Sequence, residues 1–253
     1  MIDTHCHLNF EAFEPDVDEV IKRAEQSGVE KFIVPGAKLD SSEKAFALSQ
    51  QFGNVFAAIG FHPHHVDEFN EESYLKLKEL IKNIKVVAIG EVGLDLHNYK
   101  NKGVSDFDLQ KNAFAQQLKL AEEFQKPCIL HCRDAYLEMD NLITNFEVKG
   151  VFHCFTGDLE HLKRVLDMGF YVSFTGNVTY DGSYDLLIKN APIDKLLLET
   201  DSPLLAPLPF RGQRNEPKNI SIIAKYISKI KNIGLNEVIE RCTINSRGLF
   251  GLC

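Results

Sequence analysis

The chain has 253 residues, 44% apolar and 25% charged, a balance that excludes a disordered or fibrous protein and permits a large buried core in one α/β unit. Its 28 basic and 36 acidic residues leave a net charge of −8, so no broad cationic face exists to coat a nucleic acid, and an anionic substrate needs a local site. Six cysteines, at positions 6, 128, 132, 154, 242 and 253, contain no CxxC pair and are too sparse for a disulfide-stapled scaffold, which favours a reducing, cytoplasmic setting.

In chain order, short apolar, β-rich runs alternate with segments of helical patterning. The runs are Met1 to Thr4, KFIVPG from Lys31, VFAAIG from Val55, KVVAIG from Lys85, PCILHC from Pro127, KGVFHCF from Lys149, GFYVSF from Gly169 and KLLLET from Lys195. Residues 16–27, 40–52, 71–83, 106–124, 134–146, 158–167 and 180–190 each predict a helix between them, with last helices over 217–230 and 235–246. The clearest is 106–124, where Phe107, Leu109, Phe114, Leu118 and Leu120 recur near helical spacing. Eight near-continuous apolar strands, each followed by a helix, predict a closed parallel (β/α)8 barrel of TIM type, one domain over residues 1–253. No run approaches the ~20 apolar residues that cross a bilayer. The start MIDTHCHLNF lacks a basic segment followed by an apolar stretch, so neither a membrane span nor a secretory leader is expected.

Barrel enzymes gather their chemistry at the carboxyl ends of the strands, and there this sequence is unusually polar. His5 and His7 follow the first strand, two apart, so an extended segment points both imidazoles the same way. Glu91 follows the fourth strand in GEVGLD, His131 ends the fifth, His153 the sixth, and Asp201 the eighth in LLLETDSP. Imidazoles and carboxylates flanked by buried sequence would cost several kcal/mol each without partners. The six together predict a centre of two divalent ions sharing one carboxylate. Four imidazoles favour zinc, manganese, iron, cobalt or nickel over a magnesium site built of oxygen alone, although metal availability also decides.

His62 and His64, in GFHPHH after the third strand, either face this centre from the same rim or belong to a histidine-rich surface turn. Cys132 and Cys154 neighbour the proposed ligands, and strand alternation turns them away as packing residues. Arg133, Arg211 and Arg214 are candidates to hold a substrate phosphate, since guanidinium groups match its oxygens bidentately. The alternative is that they are surface or capping arginines, with Glu216 pairing one of them to brace the FRGQRNEP loop.

The series IDTHCHL, GFHPH, GEVGLD, ILHCRDA, FHCFTG, ETDSP and RGQRNEP, in this order and spacing, resembles the signature of the TatD family of metal-dependent deoxyribonucleases, among the amidohydrolase-like barrels. The resemblance implies His5, His7, Glu91, His131, His153 and Asp201 as metal ligands, Glu91 as the bridge, and His62 and His64 lining the pocket. It further implies removal of nucleotides from DNA ends, usually 3′ to 5′, and a role in DNA repair or turnover. Leu96, His97 and Leu204 stand where the family often carries aromatic residues, so Phe10, Phe61, Phe155 and Tyr180 are the candidates to compensate, with Phe155, next to a ligand strand, taken first as the base contact.

Glu91 and Asp201 are then expected to fix the ions and orient the attacking water, with His62 or His64 protonating the leaving oxygen. The expected partner is DNA with a single-stranded or frayed end, with no membrane and no obligate protein partner. Two other functions fit parts of the pattern: a related barrel hydrolase acting on a small amide, lactone or phosphoester, and a nucleic-acid-binding protein with a vestigial site.

Overall fold

A computed structural model describes residues 1–99 and 106–252. Eight strands lie in one all-parallel sheet in sequence order: β1 (Ile2–Asp3), β2 (Lys31–Pro35), β3 (Val55–Ile59), β4 (Val86–Asp95), β5 (Cys128–Arg133), β6 (Gly150–Phe152), β7 (Tyr171–Phe174) and β8 (Leu196–Leu198). Between them run α1 (Val17–Gln26), α2 (Leu39–Gln51), α3 (Glu71–Leu80), α4 (Phe107–Glu123), α5 (Tyr136–Ile143), α6 (Leu159–Asp167) and α7 (Asp185–Asn190). The chain then continues into α8 (Ile220–Lys231) and α9 (Leu235–Phe250). This is the (β/α)8 barrel that the alternation of runs predicts.

Strand periodicity divides the apolar residues into two layers. Ile33, Ala88, Ile129, Val151 and Leu197 form a small cluster with Ile2, stopped at one end by Phe250 and Leu252. The larger cluster, with Phe32, Val34, Leu130, Phe174 and Leu198, packs against the helices. Ile129 and His131 lie on the same face of β5, so the smaller layer continues upward into the polar groups at the strand ends.

The sheet closes between its first and last strands. Thr4 donates its backbone N–H to Leu198 O (3.0 Å), Asp201 to His5 O (2.9 Å) and His7 to Ser202 O (2.7 Å). The buried Asp3 carboxylate reinforces the seam, accepting from the Thr200 N–H at 3.0 Å and the Thr200 hydroxyl at 2.6 Å. The same bonds fix the segments that carry His5, His7 and Asp201.

The loop after β8 is tied to the turn before α1. Arg214 donates to Asp16 Oδ1 and Oδ2 (2.7 and 2.8 Å), to Ala12 O (2.7 Å) and to Glu216 Oε1 (3.2 Å), while Arg23 bonds both carboxylates from the other side. Asn215, buried beneath, donates to Thr200 O (2.9 Å), and Pro217 opens the turn that leads into α8. The guanidinium of Arg214 is committed to carboxylates, so the bracing alternative describes it and a phosphate-binding role does not.

The Arg214 hydrogen bonds, with those of Arg23, hold the Asp16 carboxyl below its usual range, at about 2. A depressed carboxylate stabilises the fold above its unfolded-state pKa, near 4, and that contribution fades as pH falls towards about 2. Arg214→Ala is expected to destabilise the fold at pH 7 by about 1 kcal/mol, the upper range for partly exposed ion pairs. Thermal melts of both proteins should converge between pH 4 and pH 2.

Candidate metal centre

Six side chains from five strands converge on Glu91. Its Oε2 faces His5 Nε2 (3.5 Å) and His7 Nε2 (3.8 Å), and these in turn face Asp201 Oδ1 at 3.7 and 3.4 Å. The other oxygen, Oε1, lies 2.9 Å from His131 Nδ1, 2.9 Å from His153 Nε2 and 3.4 Å from His62 Nε2. Three candidate donor groups result, His5–His7–Asp201, His62–Glu91–His131 and His5–His153–Glu199, whose ligand atoms within each group lie within 4.8 Å of one another, and the Glu91 carboxylate faces members of all three.

Local backbone structure explains this convergence. Glu91 lies inside β4 and not after it, because the strand continues to Asp95 past a register irregularity between Ile89 and Val92. There the Glu91 N–H turns to Gly36 O at 2.8 Å. Gly93, at φ +148°, runs so close to β5 that a Cβ would collide with the His131 carbonyl. Asp201 holds a left-handed conformation, φ 53°, three residues beyond the end of β8, a strained geometry for a residue with a Cβ and one common at functional sites.

The electrostatics suit a cation. Burial pushes the Glu91 carboxyl up, but the imidazoles of His153, His62 and His131 outweigh it and hold the group ionised well below the usual range. Burial likewise opposes ionisation of Asp201, and contacts with His7 and His5 reverse it. His5 and His62 are pushed down by burial, whereas the carboxylates of Asp95, Glu91 and Glu199 overcome burial and push His131 and His153 up. His5 Nε2 and His7 Nε2 point at each other across 3.1 Å. Their outer nitrogens, Nδ1, are buried without hydrogen-bond partners, so the inner pair are the atoms turned to the cavity and would be the ones to hold a divalent ion. The donor set fits two divalent ions, of identity left open by its mixture of imidazole and carboxylate.

The group floors a cavity of about 570 Å³ at the carboxyl ends of the strands, with Phe10, Tyr99, Arg133, Asn177, Tyr184 and Leu204 on its walls. Arg133 stacks over Tyr99 (5.2 Å) and donates to its hydroxyl (3.1 Å). Arg211 sits over the Tyr180 ring at 4.2 Å and, with Arg214, is absent from the cavity wall. Phe155 is 1% exposed and packs edge-on against Tyr136 and Phe174 in the core, so it offers no ring to a base. Phe10 lines the cavity instead, stacked on the His7 ring at 4.3 Å. Cys132 and Cys154 also reach the cavity wall, contrary to strand alternation, because Cys154 lies beyond the end of β6 in a left-handed conformation, φ 44°. Burial pushes its thiol up to about 12, the reverse of a nucleophile's shift.

Sequence patterning missed several supporting groups. Asp95 Oδ2 meets His131 Nε2 (3.1 Å), His64 Nε2 (3.0 Å) and the Tyr99 hydroxyl (2.8 Å). On α4 the buried faces include Gln110 and Gln117, not Leu109, which is 48% exposed. Gln110 brackets the Asp95 backbone, accepting its N–H (2.8 Å) and donating to its carbonyl (3.0 Å). Gln117 does the same for Phe61, one residue before His62 (2.7 and 3.2 Å). Their spacing of seven, two helical turns, was the available signal.

Residues 2–251 match the model of the TatD related DNase family. The chain belongs to the TatD family. It is 39% identical over 255 residues to YabD, a metal-dependent hydrolase of Bacillus subtilis, covering 99% of this chain and 98% of that one. It is 34% identical over 263 residues to the 3′-5′ ssDNA/RNA exonuclease TatD of Erwinia tasmaniensis, covering 100% of both. The crystal structure of YjjV, a TatD homologue of Escherichia coli, superposes with a TM-score of 0.93 at 30% identity, covering 100% of this chain and 98% of that one. The paired donor groups and the TatD barrel together make this a metal-dependent hydrolase. Among the described residues, no helix is long and apolar enough to cross a membrane.

Asp95→Asn removes negative charge from an oxygen that serves three donors. We expect the protein to fold and, if His131 is a ligand, its affinity for divalent ions to fall roughly 10- to 100-fold, the usual effect of losing a hydrogen-bond partner behind a ligating histidine. Calorimetric titration with zinc checks this.

Proposed function

We propose that this protein is a divalent-metal-dependent deoxyribonuclease that trims free single-stranded or frayed DNA ends in the 3′ to 5′ sense, as one TatD domain over residues 1–253. The supporting observation is the Glu91 carboxylate, shared between two donor groups on the cavity floor. In this reading His5, His7 and Asp201 hold one ion, His131 and His153 the other, and Glu91 both. When bound, the ions supply Lewis-acid activation of water and neutralise charge on the phosphoryl oxygens.

The remaining work falls to the chain's own groups. Asp201 accepts a proton from the attacking water at its carboxylate and orients that water towards phosphorus. Arg133, braced by Tyr99, binds a non-bridging phosphate oxygen. His62 is kept neutral by burial, so His64, more open and hydrogen-bonded to Asp95, is the better-placed donor to the leaving 3′ oxygen. Phe10, Tyr184 and Leu204 offer the terminal base a wall, the part first given to Phe155. A cytoplasmic location accords with the free cysteines at 6, 128, 132, 154 and 242; Cys253 lies outside the described residues.

The preference for ends has a physical basis. With a net charge of −8 and Arg133 as the arginine on the wall, the site grips few phosphates. A flexible terminal nucleotide descends to the cavity floor without the few kcal/mol needed to unstack a paired base. The similarity to the 3′-5′ ssDNA/RNA exonuclease TatD of Erwinia tasmaniensis supports the same reading and keeps RNA as an arm of the test.

Chelation is expected to abolish hydrolysis while circular dichroism remains unchanged, because the apolar core does not depend on the metals; full turnover by rigorously metal-free protein rejects the reading. With 5′-labelled oligonucleotides, 3′ trimming yields a descending ladder. Immediate release of the label, or rapid cutting of closed single-stranded circles, overturns the polarity or the end preference. Turnover of a small amide, lactone or phosphoester with none of DNA favours a related hydrolase, and binding without turnover favours a vestigial site. Arg133→Ala should raise KM about tenfold with little change in metal content, since one charge-assisted hydrogen bond contributes roughly 1.5 kcal/mol or more.

A further inference from the structure

The two histidines nearest Glu91 Oε1 differ in how their outer nitrogens are satisfied. His131 turns Nδ1 to Glu91, and its Nε2 meets Asp95 Oδ2 at 3.1 Å. His153 has the opposite orientation, with Nε2 on Glu91 at 2.9 Å, and its Nδ1 is buried without a hydrogen-bond partner. Facing that Nδ1 at 3.7 Å is Glu199 Oε2, also buried and unpartnered. Glu199 is 0% exposed, and its other oxygen accepts the Cys154 N–H at 2.7 Å, which fixes the carboxylate.

We propose that Glu199 is a positioning residue, whose buried carboxylate accepts the Nδ1–H of His153 and so holds this imidazole in the tautomer that presents the Nε2 lone pair to the metal centre. The inference rests on the proposed assignment of His153 as a ligand. Two buried orphans of complementary chemistry, donor and acceptor, lie just beyond hydrogen-bond distance, and a small rotation of the ring joins them. Leaving both unpaired would cost a few kcal/mol. The stacked ring of His5, parallel to His153 at 4.0 Å and 7°, limits that rotation to its own plane. Glu199 lies at the Nδ1 edge of His153, whereas Glu91 lies at the Nε2 edge, so Glu199 acts through the histidine. Asp95 and Glu199 are thus equivalent supports for ligands on neighbouring strands, β5 and the end of β6.

Glu199→Gln tests this. The amide oxygen still accepts from Cys154, while its NH2 group opposes the Nδ1–H and favours the wrong tautomer. The full chain, stripped of metal, is titrated calorimetrically with zinc, and the metal-free form is melted separately. We expect zinc affinity to fall roughly 10- to 100-fold at a melting temperature close to the wild type, with Glu199→Asp recovering part of the affinity. A merely structural role would lower the metal-free melting temperature and leave the affinity of the folded protein intact, which overturns the proposal. Loss of one whole zinc equivalent with the other unchanged would make Glu199 a ligand and also overturns it. Nitrogen-15 NMR of the zinc-loaded wild type gives a readout independent of variant folding: a protonated His153 Nδ1 supports the proposal, and an unprotonated one refutes it. Failure of the wild type to bind zinc, manganese or cobalt would instead reject the metal reading together with the proposal.

Discussion

The arrangement of the whole rim depends on one carboxylate being shared. Glu91 directs Oε2 to the imidazoles of His5 and His7 and Oε1 to those of His131 and His153, so groups from β1, β4, β5 and β6 are held to one point. An ionised carboxylate buried to 5% exposure needs compensation, which the surrounding imidazoles supply in part and which bound divalent cations would complete. This is why four histidines accumulate around one glutamate, and why that glutamate occupies an irregular place in its strand.

The polar groups outside the donors are organised by the same requirement. The Asp95 carboxylate meets His131, the buried Glu199 carboxyl faces His153 Nδ1 at 3.7 Å, and the amides of Gln110 and Gln117 grip the backbone at Asp95 and Phe61. Each places a fixed hydrogen-bonding partner behind a group that must not move when an ion or a phosphate arrives, which is how preorganisation reduces the reorganisation needed during chemistry. The barrel adds rigidity through the Asp3–Thr200 seam, and the Asp16–Arg214–Glu216 network fastens the loop that follows Asp201. Arg214, off the cavity wall, therefore contributes to the fold, while Arg133 lies on that wall.

Much of this was legible from residue order. Eight apolar runs separated by helical patterning specify a parallel barrel, because strands buried on both faces need helices to cover them. Polar residues at strand ends identify the active rim, because barrel topology brings every such end to one face. His5, His7, His131, His153 and Asp201 could be read in this way. Local periodicity determines which face a residue occupies, and that information is in the sequence.

What lies across the face is set by tertiary packing. The extension of β4 past Glu91 depends on its pairing with β5, and Asp95 becomes a partner of His131 only through that pairing. Phe155 and Phe10 are both aromatic residues near a rim histidine, yet core packing buries one and leaves the other on the cavity wall. Arg211 and Arg214 share a motif but face Tyr180 and Asp16, partners separated from them by tens to hundreds of residues. Glu199 and Asp201, two apart, would share a face in a regular strand, but the left-handed backbone at Asp201 gives them different neighbours. Sequence alone determined the barrel and the chemistry of its rim, because both follow from local periodicity and residue type. The tertiary structure decided which oxygen meets which nitrogen, because those distances depend on long-range register and packing.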